Sequence, residues 1–207
     1  MIDLLSEETN PNPGKVLADF EKAALNAFSK KFPHAEISCC YFHLTQSFNR
    51  KINEIGLKIY YENFPEFNLA LRMLPALAHV PPAHVKASFE LVIEEITDVI
   101  EREQFEESVV EKMDGLAIYF KSTYIENPIV NKKPPFPIEM WNQYDAAGEG
   151  VARTTNTAEG WHYGLQAYFS GSTPNIWLLL RNLEKDSKMH FKYIHETARL
   201  LCSERPR

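Results

Sequence analysis

Cysteine is scarce in these 207 residues: there are three, and two of them, Cys39 and Cys40, are neighbours. Adjacent cysteines cannot close an unstrained bridge, and an odd count argues against a disulfide scaffold. Free thiols in a reducing compartment, cytosol or nucleus, are the expectation. Long hydrophobic runs are missing as well. The longest purely aliphatic and aromatic run is Ile176–Leu180, far short of the roughly 20 residues that span a bilayer, so no membrane partner is expected. Residues Met1–Glu8 are acidic and have no apolar core, which reads as no secretory signal. Excess positive charge is absent too. Lys and Arg number 22 against 28 Asp and Glu, a net charge of -6, which argues against a protein that coats nucleic acid but leaves room for a local basic groove. There is no Walker loop, no G-x-G-x-x-G and no G-x-S-x-G. What remains is ordinary globular composition, 44% hydrophobic and 24% charged, enough for one domain or a core with an insert.

The pattern begins with a turn cluster at Asn10–Gly14, which launches a short apolar run, Val16-Leu17-Ala18, fit for a buried strand. Asp19 stands where that strand should end. From Phe20 the spacing turns helical, with Phe20, Ala24, Ala27 and Phe28 on one face, Lys30 and Lys31 in the last turn, and Phe32-Pro33 as the stop. Ala35–Phe42 is rich in strand formers. This predicts a βαβ unit with Asp19 and His43 near the carboxyl ends of parallel strands, where open α/β sheets place their sites.

After His43 the chain reads as helix almost throughout. Leu44, Phe48, Ile52, Ile55 and Ile59 predict one long helix. Phe67, Leu71, Leu74 and Ala78 predict another, kinked at Pro75, and Val85, Phe89, Val92, Ile96 and Ile100 a third opened by Pro81-Pro82. Its outer face carries Glu90, Glu94, Glu95, Asp98, Glu101 and Glu103. Leu116–Tyr124 predicts a short fourth helix, 126–137 a linker, and Trp141–Asp145 a short helix. Asn156 and Glu159 have the spacing of a variant capping box. Thr173-Pro174 offers a second helix start, for a helix running to about Leu201.

Each candidate site residue has a plain alternative. Asp19 could be a metal carboxylate or a helix N-cap. Cys40-x-x-His43 could supply two zinc ligands, but no second Cys/His pair stands at finger-like spacing. No structural zinc is expected, and a buried cysteine beside a polar histidine is the default. Glu159 could be a catalytic carboxylate or the second half of its capping box, and the box alone explains it. Lys132, Lys133 and Arg153 could meet phosphates or line a solvated linker. Trp141, Trp161 and Trp177 read as core anchors. Spacing alone predicts a mostly α protein with a small βαβ unit.

The ordered motifs go further. Val16-Leu17-Ala18-Asp19-Phe20-Glu21 leads through Phe32-Pro33 to Cys39-Cys40-Tyr41-Phe42-His43-Leu44-Thr45-Gln46. Much later come Trp141-Asn142-x-Tyr144 and Arg153-Thr154-Thr155-Asn156-Thr157-Ala158-Glu159-Gly160-Trp161-His162. In this order, over Lys15 to Leu183, the chain resembles the MULE (Mutator-like element) transposase domain, in the form found in animal genomes beside FLYWCH-type zinc fingers. The resemblance implies a ribonuclease-H-like fold, here truncated, with residues 1–43 and 146–207 as a partial core and 44–145 as a long helical insertion. It also implies an Asp-Asp-Glu triad that cuts and joins DNA. Asp19 matches the second aspartate, Glu159 the closing glutamate, and Cys40 and His43 the Cys-x-x-His signature, with His43 placed to orient the scissile phosphate. Mg²⁺ or Mn²⁺ would be the cofactor, held by Asp19 and Glu159, and transposon-end DNA the partner. Lys132, Lys133 and Arg153 are candidate DNA contacts, the compartment would be the nucleus (or the cytoplasm for a remnant), and a homo-oligomer fits the class. The family's first aspartate has no match among the residues before Asp19. The expectation is a transposase domain inactive as it stands, or a transposase-derived module that acts by interaction or association with DNA.

Overall fold

A computed structural model describes residues 12–127, 132–150, 152–167, 169 and 175–203. The chain divides into two compact units, Met1–Thr155 and Asn156–Arg207.

The first unit opens with β1 (Lys15–Ala18), α1 (Lys22–Lys31) and β2 (Glu36–Cys39). The strands pair in parallel with Lys15 opposite Glu36 and Ala18 opposite Cys39, so the expected βαβ unit is present. A parallel pair this short is marginal alone and needs cover. The helices supply it: α2 (Tyr41–Glu54), α3 (Lys58–Asn63), α4 (Pro65–Ala76), α5 (Val85–Arg102) and α6 (Glu107–Phe120), followed by α7 (Ile138–Trp141) and α8 (Tyr144–Gly148). The predicted stripes form the core. Leu44, Phe48 and Ile52 of α2 meet Phe67, Leu71 and Leu74 of α4 and Val85, Phe89 and Ile96 of α5 in one buried cluster. Trp141 is fully buried, and its indole N–H donates to the Tyr124 carbonyl at 2.9 Å.

Local chemistry redraws several predicted boundaries. The long helix from Leu44 to Ile59 is two helices. At Gly56 φ is +76°, a backbone state that glycine reaches without Cβ strain. The Leu57 N–H turns back to the Ile52 carbonyl at 3.0 Å, closing a Schellman cap that ends α2. The helix expected at Leu116–Tyr124 starts earlier, at Glu107, because Val109 and Met113 extend the buried stripe. It widens into a π turn over Lys121–Ile125. Pro75 lies in the last turn of α4 and ends it rather than bending it midway. The helix expected over Trp141–Asp145 is two short ones, α7 and α8, parted at Asn142 and Gln143.

The second unit is built on α9 (Asn156–Gln166) and α10 (Ile176–Ser203). Thr173-Pro174 lies outside the described residues. Within them, Asn175 supplies the start signal of α10, its Oδ1 accepting the Leu178 N–H at 2.9 Å. Two of the three expected tryptophan anchors are corrected here. Trp161 is 38% exposed and Trp177 76% exposed, since a helical pair has too little interior for two indoles. Trp161 instead donates its indole N–H to Asp186 Oδ2 at 2.7 Å. No described helix is long and apolar enough to cross a membrane.

Candidate functional site

Parallel strands end on the same side, so whatever follows β1 and β2 is brought together by topology. Asp19 follows β1 directly, and His43 stands in the first turn of α2, just past β2. The structure places His43 Nδ1 3.0 Å from Asp19 Oδ1. The two side chains touch off the axis of a straight N–H···O bond. The Asp19 side chain is 54% exposed and that of His43 21%, so the carboxylate faces solvent while the imidazole is tucked against the corner.

That corner is held from behind. Residues 39, 40 and 41 are each bonded by the segment that returns after α7. Gln143 Nε2 donates to the Cys39 carbonyl at 2.9 Å. The Thr155 backbone N–H and hydroxyl approach Cys40 Sγ at 3.4 and 3.5 Å. The Tyr41 N–H donates to the Arg153 carbonyl at 3.0 Å. Cys39 and Cys40 are both free and fully buried. Burial first, then the neighbouring Cys40 and Asp19, pushes the Cys39 thiol up to about 12, so at neutral pH it is held as the thiol. Cys40 accepts hydrogen bonds as a corner post.

Basic groups stand beside the corner. The Tyr41 ring packs edge-on to His79 at 4.8 Å. Burial raises the Tyr41 hydroxyl above its usual range, opposed by the guanidinium groups of Arg72 and Arg153. Along the outer side of α2 two adjoining cavities of about 480 and 630 Å³ share Thr45, Asn49 and Tyr61. Arg50 and Lys58 line one, and Arg72 lines the other.

Of the predicted site residues, the structure joins Asp19 to His43 and Arg153 to the corner that carries Cys40. Lys132 and Lys133 are exposed, and neither forms an ion pair with Asp19. Glu159 lies in the first turn of α9, in the second unit. Sequence reasoning missed Gln143, 1% exposed, because it occupies the unspecified position of the Trp141-Asn142-x-Tyr144 motif. It also missed Arg50 and Arg72, which have no periodic signature and line adjoining cavities only when α2 packs against α3 and α4.

No protein-family model, no curated protein and no solved structure matches this chain.

Proposed function

We propose that the chain is part of a Mutator-like DNA transposase domain, acting in the nucleus, in which Asp19 and Glu159 are two of three metal-holding carboxylates. One observation carries the reading: two residues of separate motifs, Asp19 and His43, meet at 3.0 Å at the carboxyl ends of parallel strands. Arg50 and Arg72, which line the two cavities along α2, support it as groups that can meet a phosphate backbone, with Arg153 at the corner.

Asp19 is a hard oxygen donor open to solvent, which suits Mg²⁺ or Mn²⁺. The first unit supplies this single carboxylate with an imidazole beside it. Among the described residues no group of three or more His, Cys, Asp and Glu side chains is gathered for a metal ion. The first unit thus fits one ligand of such a site, not a metal pair. Glu159 follows Thr155, the residue that braces Cys40, and is the second ligand by resemblance. The exposed acidic face of α5, with Glu94, Glu95, Asp98 and Glu101, favours a second reading, a transposase-derived module that acts by association.

Manganese titration of the 207-residue chain, followed by electron paramagnetic resonance, tests the assignment. Asp19→Ala and Glu159→Ala should each weaken Mn²⁺ binding at least about tenfold. Wild-type binding in either variant refutes the place given to that residue. Labelled DNA with Mg²⁺ or Mn²⁺ should remain uncut, since these residues carry two of three triad positions. Cleavage abolished by both substitutions would show an active enzyme and exclude the module reading.

A further inference from the structure

The two cavities along α2 are built by three consecutive helices, since every residue that lines them lies between 41 and 76. On α2, Phe42, Gln46, Asn49 and Asn53 fall in one stripe along the wall of the first cavity. Phe42 is 45% exposed, and its ring meets that of His43 edge-on at 5.5 Å. The first cavity therefore starts beside the Asp19–His43 corner. Asn49 and Tyr61 line both cavities, and Tyr41 lines the second. Aromatic faces and carboxamides thus share the same walls. The side chains of Gln46, Asn49 and Asn53 make no hydrogen bond among the described residues, so amide donors and acceptors stand together for a ligand.

The charges point to what that ligand is. The first unit has four arginines, Arg50, Arg72, Arg102 and Arg153. Arg102 is paired with Glu66 at 2.6 Å, whereas Arg50, Arg72 and Arg153 have no carboxylate partner among the described residues. Arg50 lines the first cavity, Arg72 the second, and Arg153 stands at the corner. Glu62 also lines the first cavity, but it faces Lys58 at 3.7 Å, so that pair cancels and the charge of Arg50 remains. Uncompensated guanidinium groups in different cavities do not converge on one small anion. They suit a chain that repeats its anion, and between them the walls offer aromatic faces and amides, the partners of a nucleobase. From Tyr41 to Asn53 the helix is about 18 Å long, room for a few nucleotides. In a duplex the faces of the bases are stacked and their pairing edges joined, so a base reaches such a recess only when it is unpaired.

We propose that the two cavities along α2 hold unpaired bases of a single DNA strand, with its phosphates on Arg50, Arg72 and Arg153. The proposal rests on the reading of the chain as one that meets DNA, and it names the form of DNA taken.

Fluorescence anisotropy of the 207-residue chain tests it, with a labelled single strand of about twelve nucleotides and the duplex of the same sequence. The strand should bind at least about tenfold more tightly than the duplex. Arg50→Ala and Arg72→Ala should each weaken strand binding and lower the slope of log affinity against log salt by about 0.7, the value of one phosphate contact. Phe42 and Asn49 are exposed on α2, and alanine is a strong helix former, so Phe42→Ala and Asn49→Ala should keep the fold. Each should cost about fivefold or more in strand affinity and leave the salt slope unchanged. Equal affinity for strand and duplex overturns the proposal, as does wild-type binding in any of the four variants. Displacement of the strand by an equal concentration of a nucleoside monophosphate would mark a site for free nucleotides and overturn it too. If no DNA binds while Asp19→Ala still weakens Mn²⁺ binding, this inference fails alone; if neither is seen, the transposase reading fails with it.

Discussion

Gln143 offers a sharp test of how the site corner is held. Its side chain is 1% exposed, and Nε2 donates to the Cys39 carbonyl at 2.9 Å and more weakly to the Trp141 carbonyl at 3.4 Å. Its Oε1 is buried and meets no hydrogen-bond donor among the described residues. Gln143→Met keeps the volume and removes both donor and acceptor. It strands the Cys39 carbonyl but abolishes the unmet Oε1, so the number of orphaned buried oxygens hardly changes. The expected loss is then that of one net hydrogen bond, about 1 kcal/mol, rather than the full penalty of stranding a group. Gln143→Glu keeps the shape and removes the donor, leaving a carboxylate against a carbonyl. The introduced group should stay protonated to restore the bond, and holding it so at pH 7 costs about 3–4 kcal/mol from an ordinary glutamate pKa. Its folded-state pKa is raised, so the native state binds the extra proton and stability returns as pH falls, by about 1.4 kcal/mol per unit. Urea unfolding followed by tryptophan fluorescence between pH 8 and pH 5, with wild type as baseline, reads both variants. If Gln143→Glu costs no more than Gln143→Met and shows no recovery with acid, water reaches the corner and the argument fails.

Other outcomes are equally open to measurement. Gly56→Ala should destabilise the chain by about 1–2 kcal/mol in urea, because the left-handed backbone alone sets the penalty. The added Cβ would meet only the end of Lys112, at 3.7 Å, so an unchanged midpoint would mean that α2 does not end in this cap. Cys39 should resist alkylation at pH 8 in the folded protein and react on unfolding, read by peptide mass mapping; prompt native labelling contradicts its burial. Burial, then the Arg153 guanidinium, holds the His79 imidazole below the ordinary value of 6.5. Its stabilising contribution is therefore full above 6.5 and is lost as pH falls through the lowered native value. A ring titration by NMR with its midpoint at or above 6.5 would overturn this, and His79→Gln should flatten the acid side of the stability profile.

What the sequence shows and hides follows the range of each interaction. The βαβ unit was readable because Val16–Ala18 is a short apolar run closed by Asp19, and the α5 stripe because its period is local. Five apolar residues in helical step run across Gly56, and the effect of that glycine depends on a positive φ that no spacing displays. The exposed Trp161 and Trp177 reverse the usual reading of large aromatics. Nothing local distinguishes an indole in a full core from one on a helical pair with little interior. Arg50 and Arg72 are likewise brought to adjoining cavities only by tertiary packing. On the site itself, Asp19 and His43 could be placed together because parallel strands bring their ends together whatever their sequence. Gln143 could not, since a buried amide bonded to backbone has no pattern.

The return segment explains why the corner can be precise on so small a sheet. Two short parallel strands would not by themselves hold an imidazole within 3.0 Å of a carboxylate, because the end of a four-residue strand frays. Here Cys39, Cys40 and Tyr41 are each tied to Gln143, Thr155 and Arg153, more than a hundred positions along the chain. Each bond alone contributes modestly, but three at successive residues leave the β2–α2 turn no independent freedom, and His43 lies on its first helical turn. The cost of closing so long a loop grows only with the logarithm of its length, so distance in sequence is little obstacle to such a brace. The order of motifs then acquires a physical reason. Trp141-Asn142-x-Tyr144 buries an indole to anchor the amide beside it, and Arg153–Thr155 fastens the corner immediately before the helix that carries Glu159. A brace placed there positions Asp19 and His43 whatever chemistry the corner performs.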